Sequence, residues 1–378
     1  KLGVTLDLEA RLNTLPIAQR QLVAIARALV SEARLIFMDE PTASLTQAET
    51  DRLLQVVRTL SGSGVAVVFV SHRLAEVLEI SSRVTVLRDG KLVGVFPTQG
   101  MTQSRLTELM TGKTFDKVVA AKDTQSNPAV LTVEHLSRHG EYEDINLVLR
   151  AGEITGLTGL IGAGRTELAQ ILIGEEPKDR GDVLVDGVPA AIHGMADSLY
   201  KYRMGYVSEN RKEKGLILGA TIKTNITVTV WNRLRDRIGS IRLADETATA
   251  RDFMRMLEVR ATGPDQTVSS LSGGNQQKIS IAKWLAARCD ILIIDEPTIG
   301  VDIGAKEYIH QLIWDLAKRE GKSIILISSD MPEIINVARR ILVFKDFKIV
   351  GEVVNNGAGG TPVRGYEEVS QEIGRYLA

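Results

Sequence analysis

A single cysteine, Cys289, occurs in 378 residues, which excludes an internal disulfide and fits a reducing compartment. It stands just before an apolar run and reads as a small buried residue rather than a nucleophile. Excess charge of one sign is also missing: 46 basic and 47 acidic residues leave a formal net charge of -1. No polyanion-binding field follows, so nucleic acid is not an expected partner. No apolar run approaches the roughly 20 residues of a membrane-spanning helix. The longest, residues 65–70, has the length of a strand. The opening stretch, KLGVTLDLEARLNTLP, has no initiator Met, no apolar core and no cleavage site. It does not read as a signal peptide and looks like the middle of a domain. The length itself allows two domains, each with its own core.

What is present is organised around residues 271–302, LSGGNQQKISIAKWLAARCDILIIDEPTIGVD. This reads as a polar glycine-rich turn, a helix, and an apolar strand ending in two carboxylates. Ser272 can cap the helix, and Gly273 and Gly274 leave the backbone open to an anion approaching the helix N-terminus. Ile279, Ala282 and Ala286 recur at helical spacing, with Ile281 and Leu285 widening the buried stripe. The run ILII then delivers Asp295 and Glu296 at the strand's C-terminal end. A phosphate-attracting helix end beside a strand-end acidic pair is what nucleotide hydrolysis needs. In order and spacing, LSGGNQQK and ILIIDEPT resemble the signature motif and Walker B of ATP-binding cassette (ABC) proteins.

The stretch has an earlier counterpart. LPIAQRQLVAIARAL from Leu15 matches LSGGNQQKISIAKWL from Leu271, and LIFMDEPTASL places Asp39 256 residues before Asp295. VFVSHRLAEV likewise matches LISSDMPEII, with Ser71 257 residues before Ser328. Three matches in one order mean two copies of one domain rather than a short-period solenoid. The second copy also contains GLTGLIGAGRTEL, with Gly159, Gly162, Ala163, Gly164, Arg165 and Thr166 in the places of a phosphate-binding loop. The counterpart of that loop would fall before residue 1, so the first copy is expected to lack one in this chain.

In the first copy, Leu22, Ile25, Ala26, Leu29 and Val30 form one helical face. Pro16, Ile17 and Ala18 replace Ser272, Gly273 and Gly274, so that turn should bind phosphate poorly and serve as packing. Residues 50–60 read as a helix and 65–70 as a strand ending at Ser71 and His72. RDGK at 88–91 reads as a hairpin turn between strands 84–87 and 92–96. The family resemblance implies that Asp39 holds Mg2+ through water and Glu40 polarises the attacking water. It also puts His72 in the place of the switch histidine that contacts the γ-phosphate.

Residues 112–128 are polar and without apolar period, and read as the linker. The second copy begins with an alternating strand, 130–134, and a further strand at 145–149. Tyr142 stands about where the family stacks an aromatic on adenine; a half-buried strand tyrosine is the other reading. Residues 152–167 read as strand, glycine-rich turn and helix start, whose backbone N–H groups cradle phosphates. The pattern calls for Lys where this chain has Arg165, a planar and larger cation. Glu167 adds a carboxylate that repels phosphate. The expectation is a loop that binds nucleotide without rapid hydrolysis. VSENRKEKG at 207–215 occupies the place of the family's loop carrying a Gln to Mg2+, with Glu209 near that position. Thr166 and Asp295 complete the expected metal set, and Glu296 is the second copy's catalytic-type acid. Residues 221–260 read as a helical subdomain and 323–329 as a strand, with Ser329 in the place of the switch histidine. In KDFK, Phe347 replaces Gly90, so this turn is not expected to use positive φ cheaply. After Val354, NNGAGGTP has linker composition, followed by a short helix at 366–377.

Taken together, SENRKEKGL, LSGGNQQK and GLIGAGRTE are similar to motifs of the duplicated ATP-binding subunit of bacterial carbohydrate-uptake ABC transporters, the ribose, galactose and arabinose type. The resemblance implies an α/β fold of two tandem P-loop NTPase cassettes. The first, 1–111, is truncated at its N-terminus; a linker, 112–128, follows. The second, 129–354, is complete with antiparallel β and helical subdomains, and 355–378 is a tail. It implies an ATPase using ATP and Mg2+, coupled to monosaccharide uptake through separate permease subunits and a periplasmic sugar-binding protein. Its place would be the cytoplasmic face of the bacterial inner membrane. With cassettes meeting head to tail, Asp39, Glu40 and His72 would face Ser272, Gly273 and Gly274 in a hydrolytic site. Arg165, Thr166, Asp295, Glu296 and Ser329 would face the poor signature at 15–19. Two other readings stand beside this one: a soluble twin-cassette ribosome factor, and a non-catalytic fragment.

Overall fold

The computed structural model describes residues 10–12, 15, 17–30, 33–42, 45, 47–71, 73–88, 90–112, 126–160, 162–301, 303–355 and 364–377. It divides into two compact units, Lys1–Phe115 and Asp116–Ala378.

The first unit contains α1 (Ile17–Val30), β1 (Leu35–Asp39), α2 (Gln47–Gly62), β2 (Ala66–Val70), α3 (Leu74–Ile80), β3 (Arg83–Arg88), β4 (Lys91–Pro97) and α4 (Gln103–Thr111). β1 and β2 pair in parallel, from Leu35 opposite Ala66 to Asp39 opposite Val70. β3 and β4 form the expected antiparallel hairpin. The core gathers Ile25, Ile36, Met38, Leu53, Val57 and Leu60 on one side of β1 and β2. Of the helical face read for α1, Ile25 is buried, Ala26 half-buried and Val30 85% exposed, while the side chains of Leu22 and Leu29 lie outside the described residues. Leu35, Phe37, Val68 and Val70 point to the other side and are exposed.

The second unit opens with β5 (Ala129–Ser137), β6 (Ile145–Arg150), β7 (Ile154–Gly159), α5 (Arg165–Leu172), β8 (Arg180–Val185), β9 (Val188–Pro189), α6 (Met195–Tyr200) and β10 (Met204–Val207). A single π turn, Arg211–Gly215, leads to a helical region of α7 (Ile222–Thr227), α8 (Trp231–Leu234) and α9 (Leu243–Met256). Then come α10 (Gly273–Ala286), β11 (Ile291–Asp295), α11 (Ile303–Lys318), β12 (Ser323–Ile327), α12 (Met331–Val337), β13 (Arg340–Lys345), β14 (Lys348–Val354) and α13 (Tyr366–Leu377). The main sheet has the order β10-β11-β12-β7-β13-β14. Its strands are parallel except β14, which runs antiparallel to β13. β11 and β12 are buried along their whole length, as parallel strands covered on both faces must be. A second, antiparallel sheet has the order β6-β5-β8-β9.

The apolar stripe of α10 lies where its spacing put it: Ile279, Ile281 and Ala282 have no exposure. Cys289 is buried and free, and burial pushes its thiol up to about 12, so it is inert. The helix at 366–377 is not a detached tail. Val369 and Ile373 are fully buried in the second unit's core, because α13 lays its apolar side against β13, β14 and α12. Among the described residues, no helix is long and apolar enough to cross a membrane.

The two units repeat each other in local geometry. Glu40 has φ 46° and donates its N–H to the Val70 carbonyl at 2.8 Å. Glu296 has φ 45° and donates its N–H to the Ile327 carbonyl at 2.9 Å. The Arg73 N–H donates to Ser71 Oγ at 3.0 Å, and the Asp330 N–H donates to Ser328 Oγ at 3.0 Å. In the second unit β7 lies between the pairs β11–β12 and β13–β14; the corresponding pairs of the first unit, β1–β2 and β3–β4, are separate two-stranded sheets.

Candidate nucleotide-binding site

β7 runs out at Gly159 into the glycine-rich turn, and α5 begins at Arg165 with Gly164 as its N-cap. The turn therefore feeds a helix N-terminus, where free N–H groups and the helix dipole favour an anion. Arg165 is the first residue of that helix and is 7% exposed. Its Nη1 lies 3.7 Å from Glu296 Oε1, too far for a hydrogen bond, and has no hydrogen-bond acceptor. A buried guanidinium donor without an acceptor, at the mouth of a phosphate-type loop, is chemically suited to a phosphate oxygen.

β11 delivers the two carboxylates to the same place. Asp295 is fully buried and accepts from the Tyr206 hydroxyl at 3.0 Å and from the Thr166 hydroxyl. Burial pushes its carboxyl up to about 6, against the pull of those two donors; the negative charge of exposed Glu209 adds to the rise and Arg165 opposes it. Its second oxygen, Oδ1, is buried without a partner. Glu296 accepts the Ser329 backbone N–H at 2.7 Å and the Ser329 hydroxyl as well. Burial pushes Glu296 up to about 7 even with those bonds and the Arg165 charge beside it. Gly159, Gly162, Ala163, Gly164, Arg165, Thr166, Asp295, Glu296 and Ser329 thus meet in one corner of the second unit.

Tyr142 takes a different position from an adenine platform. It is 3% exposed, donates its hydroxyl to the Gly164 carbonyl, and meets Phe347 edge-on with ring centroids 5.3 Å apart. So buried a ring does not stand open to an adenine, and Tyr142 instead supports the loop at Gly164. The turn of the β13–β14 hairpin is corrected too. Asp346 and Phe347 both take positive φ, 49° and 59°, although neither is glycine.

Ser272 stands at the N-cap of α10, yet its side chain makes no capping bond; its Oγ instead accepts the Asn275 side-chain amide at 2.9 Å. A Cβ on Gly273 would collide with the Gly300 carbonyl, so only glycine allows the signature turn to rest on residues 299–300. Arg211 locks that contact: Nη1 donates to the Ile299 carbonyl at 2.6 Å and Nη2 to the Gly300 carbonyl at 3.0 Å. Arg211 and Tyr206 escaped the sequence reading, since each acts on a segment 88 or 89 residues away. In the first unit Asp39 is exposed and Glu40 half-buried. His72, Pro16 and the side chains of Ile17 and Ala18 lie outside the described residues.

Comparison with known proteins places these features. The family described as "ABC transporter" matches residues 142–299. The chain is 43% identical over 371 residues to "Ribose import ATP-binding protein RbsA 2" of Rubrobacter xylanophilus, covering 98% of this chain and 69% of the relative. It is 39% identical over 353 residues to "Ribose import ATP-binding protein RbsA" of Lacticaseibacillus paracasei, covering 93% and 69%. Among solved structures, a dimeric bacterial ABC transporter cassette covers 60% of this chain and 100% of its own at TM-score 0.53 and 22% identity, a likeness of fold. By its relatives and its fold, the chain belongs to the carbohydrate-uptake ABC ATPases, ATP-binding subunits of sugar importers in which ATP hydrolysis is coupled to transport.

Proposed function

We propose that this chain serves a monosaccharide importer with two unequal nucleotide sites, one hydrolysing and one holding. The observation that carries the inequality is the bonding of Glu296. A general base needs a free, ionised oxygen aimed at water. Glu296 instead has one oxygen, Oε1, taken by the Ser329 N–H at 2.7 Å and facing Arg165 at 3.7 Å. Burial favours its neutral form, and the Arg165 Nη1 beside it keeps no hydrogen-bond acceptor. Arg165 and the loop N–H groups suit phosphate binding, so nucleotide is held there and turned over little.

Two copies of one cassette are supported by the matching left-handed glutamates and serine turns of the two units. In the first, Asp39 and Glu40 are the metal-holding and water-polarising pair, with His72 at the γ-phosphate. Ser272, Gly273 and Gly274 form the signature turn of the second unit, with backbone open to a phosphate. Residues 1–111 form the first cassette, 112–128 the linker, and 129–354 the second, with α13 added to its core.

Mg2+ fits the second unit's donors. The unpartnered Oδ1 of Asp295 and the Thr166 hydroxyl are hard oxygens, with Glu209 near enough to act on Asp295 electrostatically. Mg2+ there would neutralise phosphate charge when bound. Mg2+ bound by so few protein oxygens would take the rest of its shell from water and phosphate.

The partners are permease subunits and, through them, a periplasmic sugar-binding protein, at the cytoplasmic face of the bacterial inner membrane. The names of the ribose-import relatives support that setting. Mg-ATP hydrolysis and sugar uptake by the assembled importer test the inequality. Glu40→Gln is expected to abolish both, and Glu296→Gln to leave most of each. Equal losses would sink it.

A further inference from the structure

Residues 346–347 form the two-residue turn between β13 and β14, which needs positive φ at both positions, yet neither is glycine. Phe347 and Asp346 sit at positive φ where glycine or asparagine is normally used, and an aromatic residue there is strained by about 1 kcal/mol or more. The strained residue faces the phosphate loop. The Phe347 N–H donates to the Ala163 carbonyl at 3.1 Å. Its ring edge would meet a Cβ on Gly164 at 2.5 Å, so only glycine fits between them. The ring packs against Tyr142, whose hydroxyl bonds the Gly164 carbonyl. β13 pairs with β7 as far as Phe344 opposite Gly159, so the hairpin also reaches the loop's first residue.

Two consecutive loop carbonyls, of Ala163 and Gly164, are therefore satisfied within the protein: that of Ala163 by Phe347, and that of Gly164 by the Leu168 N–H at 3.0 Å as the first bond of α5, with the Tyr142 hydroxyl as a second donor. Carbonyl oxygens facing a phosphate would repel it; drawn back, they leave the neighbouring N–H groups to face the anion. We propose that Phe347 is a positioning residue for nucleotide binding, holding the 162–165 turn phosphate-ready through the Ala163 carbonyl and through Tyr142. This rests on the reading of that loop as the second nucleotide site.

Stability and affinity are expected to part, which gives the test. Phe347→Gly relieves the left-handed strain and keeps the N–H bond while losing the ring's packing on the core, so the two effects offset and the melting temperature is expected to change little. Affinity of the full chain for a fluorescent ADP analogue is expected to fall about five- to tenfold, the scale of one aromatic pair lost beneath the loop. Phe347→Asn, which also tolerates positive φ, provides a second variant with the same expected split. Tyr142→Phe is expected to weaken binding too, and adding Phe347→Gly to it should cost less than in the wild type, because part of the ring's effect passes through that hydroxyl. Wild-type binding that both Phe347 variants leave within twofold overturns the positioning role alone. A wild-type chain that binds no ADP analogue overturns the nucleotide reading and the positioning role with it.

Discussion

Glu296 combines attractions that should keep a carboxylate ionised with a burial that outweighs them. Ser329 and Arg165 both favour the charged form, yet the carboxyl is pushed up to about 7 from an ordinary 4.5. Between those values the folded chain keeps a proton that the unfolded chain has lost. The group's contribution to stability is thus complete below the unfolded pKa and is lost as pH rises through the folded one. Glu296→Gln is neutral at every pH and is expected to flatten this part of the curve, read as melting temperature from about pH 5 to 8. Phosphate charge favours the protonated acid, so wild-type nucleotide affinity should fall with rising pH more steeply than that of Glu296→Gln. Calorimetric titrations with parallel pH profiles would remove Glu296 from the site's electrostatics. Asp295 lends itself to a companion experiment. Tyr206→Phe takes away one of its two hydroxyl donors and strands a buried oxygen, a loss of about 1–3 kcal/mol in denaturant unfolding.

At the level of elements, the switch segment after β12 is pinned by a buried acid on α12. Glu333 has no exposure and accepts the Ser328 hydroxyl at 2.6 Å, while its other oxygen lies 2.7 Å from His310 Nε2 on α11. Glu333→Ala leaves His310 and Ser328 without their acceptor and is expected to cost about 3–5 kcal/mol, measured by denaturant unfolding. A loss below 1 kcal/mol would mean that the network is dispensable packing. Such pairs explain how far the sequence could be read. Runs such as ILII and the i, i+3, i+4 spacing on α10 announce strand and helix locally, and the glycine-rich turn between β7 and α5 announces itself by its residue types. The Glu333–His310 pair joins residues 23 apart across two helices, and Arg211 reaches a carbonyl 88 positions on. No local period encodes either. The hairpin turn misled for another reason: the two-residue connection demands positive φ at both positions whatever residues fill them, and Phe347 accepts it while also contacting Ala163, Gly164 and Tyr142.

Across the whole molecule the two units differ in what covers their sheets. In the second, Ile291, Ile293, Ile325 and Ile327 are at most 3% exposed, sandwiched by helices and the antiparallel sheet. Their counterparts in the first, Leu35, Phe37, Val68 and Val70, range from 40% to 71% exposed. Among the described residues that apolar sheet face lies open and β1 and β2 pair only with each other, which costs cooperativity and invites association. Unfolding of the 378-residue chain is therefore expected to show two transitions, the lower belonging to the first unit. Residues 126–378 expressed alone should keep the upper transition and lose the lower. A hydrophobic dye should bind the full chain more strongly than this shorter one. Phe37→Ser tests the face directly: at 71% exposure it should cost under about 1 kcal/mol while reducing aggregation, since little burial is lost. If Phe37→Ser instead removes the lower transition altogether, the face is covered in solution, and the unit's stability comes from whatever lies on it.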